Sequence, residues 1–192
     1  MEASKKPFKV KVKVEEGKMN PFNYNKTVRL SELRDFCTFK EDADSILSKG
    51  ENPIIYAYFD HVQPETEKDM NFGITIIHPG KIGKEYYFTR GHYHSGDTGE
   101  FYLFVKGKGV FLAQNRMGEV EYLEVGEWDI IYSPPGWGHR VYNVGEEDLI
   151  FITAEFANVG HDYESIKREG FTKIVVEVDG SYSVVERPTH PK

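Results

Sequence analysis

The sequence predicts an all-β fold, a barrel or jelly roll of antiparallel strands with a few short covering helices. Thirteen Phe and 12 Tyr favour strands over helices. Short strand-like runs follow one another from about residue 53 to 156, separated by turn signals such as Lys106-Gly107-Lys108-Gly109. With 192 residues, 39% of them hydrophobic, the chain can bury one core, so we expect one domain over residues 1–192.

Each predicted element follows from a local pattern. Lysines alternate with apolar residues over Phe8–Val14, which predicts an edge strand. The segment from Lys40 to Lys49 predicts a helix that ends at Gly50. Together they give an N-terminal strand and helix within residues 8–50. Residues 161–186 are expected to form a C-terminal helix (161–169) and a hairpin that turns at Asp179-Gly180. The strands between them are predicted over 54–59, 72–78, 86–94, 100–105, 110–114, 119–123, 128–132, 140–143 and 149–156.

Composition excludes several classes of function. The net charge of -7 and the lack of a Lys/Arg block argue against a nucleic-acid partner. The N-terminal Met1–Pro7 lacks the apolar core of a signal peptide, and no run approaches the roughly 18 apolar residues of a membrane span, so we expect a cytoplasmic protein with no membrane partner. Cys37 is the only cysteine and cannot form an internal disulfide, so it is expected to be a small buried hydrophobe.

Three imidazoles and one carboxylate form a candidate metal site. Side chains two apart on a strand point the same way, so His92 and His94 are expected to share one face. After a turn over residues 96–99, Glu100 begins the next strand, and His139 follows a Pro-Gly turn further along the chain. Imidazole and carboxylate suit divalent first-row metals, so the pattern predicts a metal centre.

The two segments that carry these ligands resemble the two motifs of the cupin superfamily. The first is matched by His92-x-His94, Glu100 and Gly107, and the second by Pro134-x-Gly136, His139 and Asn143. Longer blocks, in order along the chain, resemble the cupin-type glucose-6-phosphate isomerases known from archaea: Asn71–Thr75, Pro79–Glu85, Phe88–His94, Gly107–Gly109, Pro134–Arg140 and Gly160–Tyr163. The resemblance implies a cupin β-barrel with its conserved-type core over about residues 53–156.

The resemblance also implies a site and a reaction. It places one divalent metal per subunit on His92, His94, Glu100 and His139, with Fe2+ as the first choice and Mn2+, Ni2+, Zn2+ or Co2+ as the others. The implied activity is interconversion of glucose 6-phosphate and fructose 6-phosphate in glycolysis and gluconeogenesis. Glu100 would be ligand and base, Tyr102 would hold a hydroxyl and His161 would move the proton for ring opening. The phosphorylated hexose would contact Tyr56, Thr75, Thr89, Gly91 and Tyr163.

Several alternatives stay open at this point. A 3-His-1-Glu iron site also occurs in cupin dioxygenases, and a non-catalytic cupin could bind a sugar phosphate without turnover. Mannose 6-phosphate could be a further substrate, and packing is the plain alternative for each tyrosine. The hydrogen that moves between C1 and C2 could travel as a proton through an enediol or as a hydride. If Thr89 and Gly91 face inward on a strand, Arg90 points outward. From the resemblance we expect an aromatic residue followed by proline at the two positions where this chain has Glu155-Phe156. It also favours a homodimer, paired through the N-terminal strand.

Overall fold

Antiparallel strands are the main regular elements of the structure, a computed structural model that describes residues 6–64 and 68–188. Three helices are α1 (Leu30–Leu33), α2 (Lys40–Ser48) and α3 (Tyr163–Glu169), with 3-10 turns at Val14–Glu16 and Arg34–Phe36. The strands are β1 (Lys11–Lys13), β2 (Lys18–Asn20), β3 (Tyr24–Arg29), β4 (Ile54–His61), β5 (Met70–Ile77), β6 (Lys81–Ile82), β7 (Glu85–Tyr86), β8 (Tyr93–His94), β9 (Glu100–Lys106), β10 (Gly109–Asn115), β11 (Val120–Val125), β12 (Ile130–Ser133), β13 (Trp137–Asn143), β14 (Leu149–Phe156), β15 (His161–Asp162), β16 (Lys173–Val178) and β17 (Ser181–Glu186).

Two sheets form the body of the fold. The larger has the strand order β12-β9-β14-β5-β4-β3 and the smaller the order β11-β10-β13. The pairings within both sheets are antiparallel, which confirms the predicted all-β antiparallel class. Single bridges from Phe88 to Tyr142 and from His92 to His139 attach the segment before β8 to the edge of the smaller sheet.

The main core lies between the inward faces of these two sheets. Strand alternation turns Tyr102 and Phe104 of β9 and Phe151 of β14 inward, where their ring centroids lie 5.2–6.4 Å apart. Phe111 of β10 meets Tyr102 edge-on from the opposite sheet at 5.1 Å. Burying such a side chain contributes roughly 1.5–3 kcal/mol, so this packing holds together the two sheets that carry the polar residues.

The N-terminal hairpin covers the outer face of the larger sheet. Met19 of β2 is buried there against Ile74, Val105 and Ile150, and the valines at positions 10, 12 and 14 pack on the same cluster. The strand predicted over residues 8–14 is observed only at Lys11–Lys13, because the chain turns into a 3-10 helix at Val14 and returns as β2. The homodimer expected from this strand stays a prediction.

Two further predicted elements differ from the structure by more than a small shift of their ends. The segment 86–94 is not one strand, because Gly91 has a φ of 72° and breaks the extended conformation between β7 and β8. The helix predicted from His161 begins at Tyr163, since His161 pairs with His94 and the Asp162 side chain caps the helix by accepting from the Ser165 amide at 3.0 Å.

Other predicted elements agree with the structure. The helix expected from Lys40 is α2, and the hairpin expected at Asp179-Gly180 is formed by β16 and β17, with both turn residues at positive φ. Strands β2 and β3 and the short helix α1 were not predicted. The expectations for Met1–Lys5 and for the end of the tail, residues 189–192, fall outside the described residues.

The helices within residues 6–64 and 68–188 are all too short or too polar to cross a membrane.

Candidate metal centre and active site

Four side chains from three stretches of chain converge on one point at the edge of a cavity between the strands. His92 lies in the bridge to β13, His94 on β8, Glu100 at the start of β9 and His139 on β13, and their ligand atoms lie within 4.8 Å of one another. Glu100 Oε2 is 2.9 Å from His139 Nε2, 3.3 Å from His94 Nε2 and 3.7 Å from His92 Nε2. One carboxylate oxygen thus faces all three imidazoles.

The outer nitrogens of two histidines are held by the protein. His94 Nδ1 donates to the Thr98 carbonyl at 2.9 Å, and His139 Nδ1 lies 2.9 Å from the Ser133 hydroxyl. This arrangement turns each Nε2 towards Glu100, as in metal sites where a hydrogen bond on one ring nitrogen directs the other to the ion.

The donor atoms fit a divalent metal. Among the described residues, the Nε2 atoms of His92 and His139 are buried without a hydrogen-bond partner. Buried polar nitrogens without partners are costly, and an ion at the centre of the four ligands would satisfy both. The set of three imidazoles and one carboxylate suits a first-row transition metal.

The electrostatics keep His92 and Glu100 in the forms that bind metal. Burial lowers the pKa of His92 to about 3, so its imidazole is neutral. Burial alone would raise the pKa of Glu100, but the close imidazoles of His139, His92 and His94 hold it well below its usual range. Burial opposes the charged form of His94, and its hydrogen bonds with Glu100 and Thr98 raise its pKa.

Arg140 holds the segment that carries His92. Its guanidinium donates to the Arg90 carbonyl from Nη2 at 2.8 Å and from Nε at 3.3 Å, and it lies over the rings of Phe88 and Phe171. Gly91 follows in a left-handed conformation, where a Cβ would come within 2.8 Å of the His139 carbonyl oxygen. Close contact between this irregular segment and β13 therefore sets where His92 points.

A cavity of about 490 Å3 opens beside the four ligands. His92, Glu100 and His139 line it, whereas His94 lies behind them with its side chain only 4% exposed. All the other residues predicted for substrate or catalysis also line the cavity: Tyr56, Thr75, Thr89, Gly91, Tyr102, His161 and Tyr163.

Contacts already made by these residues limit what they can offer a ligand. The Tyr102 hydroxyl donates to Glu100 Oε2 at 2.9 Å, and Thr89 Oγ1 accepts from the Val141 amide at 3.1 Å. Thr89 can still donate its hydroxyl hydrogen. The ring of His161 meets that of His92 edge-on at 4.2 Å, with Tyr163 beside both.

Arg90 also lines the cavity, and the expectation that it points outward is wrong. The alternation argument fails because residues 88–92 are not a regular strand. Arg90 Nε is buried and, among the described residues, lacks a hydrogen-bond partner, and Glu32 lies 3.6 Å from its Nη2. Lys26 of β3 lines the same cavity and adds a second positive charge.

Sequence reasoning missed two acidic groups in the cavity. Glu155 of β14 lies 2.9 Å from His161, and Asp60 of β4 lies over Gly73, where a Cβ would collide with its carboxylate. Burial, then the nearby Glu155 charge, raises the pKa of Asp60 to about 7. Strand parity could have found both, since Asp60 shares a face with Tyr56, and Glu155 shares one with Phe151.

The chain matches a known family over most of its length. The sequence model of the family described as Glucose-6-phosphate isomerase (GPI) matches residues 28–191. The glucose-6-phosphate isomerase of Thermococcus kodakarensis is 44% identical over 161 residues, 83% of this chain and 84% of that protein. The one from Pyrococcus furiosus is 40% identical over 98% of this chain and 99% of its own length.

More distant proteins are also similar. The glucose-6-phosphate isomerase of Sinorhizobium medicae is 33% identical over 77% of this chain and 71% of that protein. Among solved structures, the oxalate decarboxylase of Bacillus subtilis is 19% identical, covers 54% of this chain and 26% of that one, and gives a TM-score of 0.45, a likeness too slight to bear on fold or activity. The matches to the isomerases confirm the resemblance seen in the motifs, and the chain belongs to the glucose-6-phosphate isomerase family.

Proposed function

We propose that this protein is a metal-dependent aldose-ketose isomerase that interconverts glucose 6-phosphate and fructose 6-phosphate. The observation that carries the proposal is the convergence of His92, His94, Glu100 and His139 beside a polar cavity, in a chain of this family. The reaction would serve glycolysis and gluconeogenesis in the cytoplasm, with a phosphorylated hexose as partner and a homodimer as the working form.

One divalent metal per subunit fits the four ligands. Fe2+ is the first choice, and Mn2+, Ni2+, Zn2+ or Co2+ have suitable ligand chemistry too. When bound, such a metal polarises a carbonyl and stabilises negative charge on neighbouring oxygens. The three histidines would hold it through Nε2, and Glu100 through Oε2, the oxygen nearest to them.

Glu100 has a second role in this proposal. Its contacts with the three imidazoles and with Tyr102 use Oε2. We therefore assign Oε1 to the hydrogen that moves between C2 and C1 of the open-chain sugar, taken from one carbon and returned to the other as a proton. Tyr102 keeps Glu100 in place and offers its oxygen to a sugar hydroxyl, while His161 moves the proton needed for ring opening.

The positive end of the cavity suits the phosphate. Arg90 brings a buried Nε without a partner among the described residues, and Lys26 lies nearby on β3. Thr89 offers a hydroxyl hydrogen, Gly91 a backbone that no Cβ shields, and Thr75 a second hydroxyl on β5. Tyr56 and Tyr163 would close the site around the sugar. A guanidinium with hydroxyl and backbone donors is a common way to bind phosphate.

Two alternatives are less well supported. A dioxygenase with the same iron ligands would act on a less polar molecule, whereas this cavity is lined by threonines, tyrosines and charged groups. A sugar-phosphate-binding protein without turnover would need no base, whereas Glu100 combines the position of a metal ligand with that of a base. Family membership favours the isomerase over both, and mannose 6-phosphate remains a candidate second substrate within that class.

The test is conversion of fructose 6-phosphate to glucose 6-phosphate in a coupled dehydrogenase assay, on protein treated with chelator and then given one metal at a time. We expect activity to fall with chelation, to return with metal and to rank the five metals. Protein that binds a metal yet converts neither sugar phosphate would disprove the proposal, and oxygen uptake with iron would then favour the dioxygenase.

A further inference from the structure

A second carboxylate-imidazole pair lies in the cavity, outside the four metal ligands. Glu155 Oε2 is 2.9 Å from His161 Nε2, and the two side chains are 13% and 29% exposed. Glu155 stands on the strand next to Glu100, in direct register with it, and His161 stands in register with His94. The sheet geometry therefore places this pair beside the metal ligands, on the cavity side.

Glu155 and His161 could be considered as metal ligands themselves. Together with His92 and His94 they form a second set whose ligand atoms lie within 4.8 Å of one another. Each histidine has one Nε2 to give, however, so the two sets cannot both be filled. The first set includes the unpartnered Nε2 of His139 and the more buried carboxylate, Glu100, at 5% exposure. An ion in that set leaves Glu155 and His161 available to the substrate.

The pair has two features that a proton-transfer site needs. It is open to the cavity, and its two members are joined by a hydrogen bond along which a proton can pass. Its position is also fixed, because His161 packs edge-on against the His92 ring at 4.2 Å and its backbone is paired with β8. Glu155 is fixed by the ladders of β14 with β9 and β5.

We propose that Glu155 and His161 act together as the acid-base pair that opens and closes the sugar ring, with Glu155 as a further catalytic residue. The inference rests on the proposed isomerase function. Glu155 takes the proton of the anomeric hydroxyl, and the O1–H electron pair forms the C1=O1 bond. The C1–O5 bond breaks, its electrons stay on O5, and the His161 imidazolium gives O5 a proton. A proton then passes from Glu155 to His161 and restores the pair.

Ring opening can be measured without isomerisation. Metal-free protein cannot use the metal in the C1–C2 step, so exchange between the α and β anomers of glucose 6-phosphate, followed by exchange NMR, reports ring opening alone. We expect wild-type protein to accelerate this exchange, and Glu155→Gln and His161→Gln each to lower the acceleration at least tenfold. Glu121→Gln, an exposed change on β11, is the matched control and should exchange anomers like the wild type. Wild-type exchange at the buffer rate, or undiminished exchange in Glu155→Gln, would overturn the proposal.

A substrate that cannot close its ring separates this role from the C1–C2 step. In 5-deoxyfructose 6-phosphate the furanose lacks its ring oxygen and the pyranose oxygen carries the phosphate, so the ketose stays open. Metal-loaded Glu155→Gln should isomerise it within about threefold of the wild-type rate while losing at least tenfold on fructose 6-phosphate. Equal losses on both substrates would contradict the ring-opening role. If wild-type protein isomerised neither sugar with any metal, the proposed function would fail, and the anomer-exchange result would still decide for or against the pair.

Discussion

Glu100 and Glu155 are the same residue type on neighbouring strands, directly opposite each other in the larger sheet, yet their surroundings differ. Glu100 faces three imidazoles and accepts from Tyr102, all within 3.7 Å. Glu155 has one short contact, with His161, and a longer one of 3.8 Å to His94. The first carboxylate is surrounded by imidazoles that are placed to share a cation with it, whereas the second has one hydrogen-bonded partner and an open cavity.

The difference shows that the surrounding groups determine what a carboxylate can do more than its residue type does. Replacing one partner of a crowded group removes several interactions at once, while the same change in a simple pair removes one. We therefore expect changes around Glu100 to alter metal binding and turnover together, and changes around Glu155 to leave the metal in place.

Glu100→Gln should have the largest effect. The amide keeps the shape but loses the charge and the basic oxygen, so we expect turnover of fructose 6-phosphate to fall about 10^2- to 10^4-fold and metal affinity to fall as well. Glu155→Gln, its counterpart across the strands, should keep a wild-type metal content, measured by mass spectrometry of the metal after gel filtration. Loss of metal from both variants would erase the distinction between the two carboxylates.

Ser133→Ala should weaken metal binding without touching a ligand. The change removes the hydroxyl 2.9 Å from His139 Nδ1, which helps to direct Nε2 towards Glu100. Loss of such a supporting hydrogen bond typically costs 10- to 100-fold in metal affinity, and competition with a chromophoric chelator would measure it. Ser133→Thr keeps a hydroxyl and is the control. Unchanged affinity in the alanine variant would mean that the Trp137 carbonyl, 3.2 Å away, holds the ring alone.

Asp60→Asn tests the raised pKa of the Asp60 carboxyl, which lies in the cavity near Glu155. A carboxyl whose pKa is raised to about 7 in the folded state stabilises the fold at low pH, and that stability is lost as the pH rises through 7. Between pH 5 and pH 8 the unfolding free energy of the wild-type protein should therefore fall by about 2 kcal/mol more than that of the variant. This figure allows for screening by the water that the cavity admits. Urea denaturation of metal-free protein measures it. A constant difference between the two proteins across this range would refute the raised pKa.

Thr89→Val should give the smallest effect, because Thr89 is assigned to phosphate binding and neither carboxylate is changed. Removing one hydroxyl donor should raise the apparent KM for glucose 6-phosphate roughly fivefold, about 1 kcal/mol, with little change in kcat. Thr89→Ser keeps the hydroxyl and should bind normally. A wild-type KM in the valine variant would remove Thr89 from the phosphate site.

The sequence predicted the strand-rich fold and the cluster of four candidate ligands because both depend on local patterns. Alternation marked the strands, and turn residues marked where one strand gives way to the next. The same parity rule failed at residues 88–92, where Gly91 leaves the extended conformation and Arg90 turns into the cavity. Glu155 was seen only as a departure from a pattern, because its role depends on His161, a partner that becomes a neighbour only through the pairing of β15 with β8.

The hairpin of β1 and β2 has a consequence for how the chain folds during synthesis. Met19 and the valines at positions 10, 12 and 14 are synthesised well before Ile150, which lies about 130 residues later and forms part of the surface that buries them. These apolar residues stay incompletely buried until β14 has been synthesised and has paired with its neighbours. Contacts of such long range slow folding and leave early segments prone to aggregation. We expect the segment that forms this hairpin to be the part of the described chain that most needs a chaperone during synthesis.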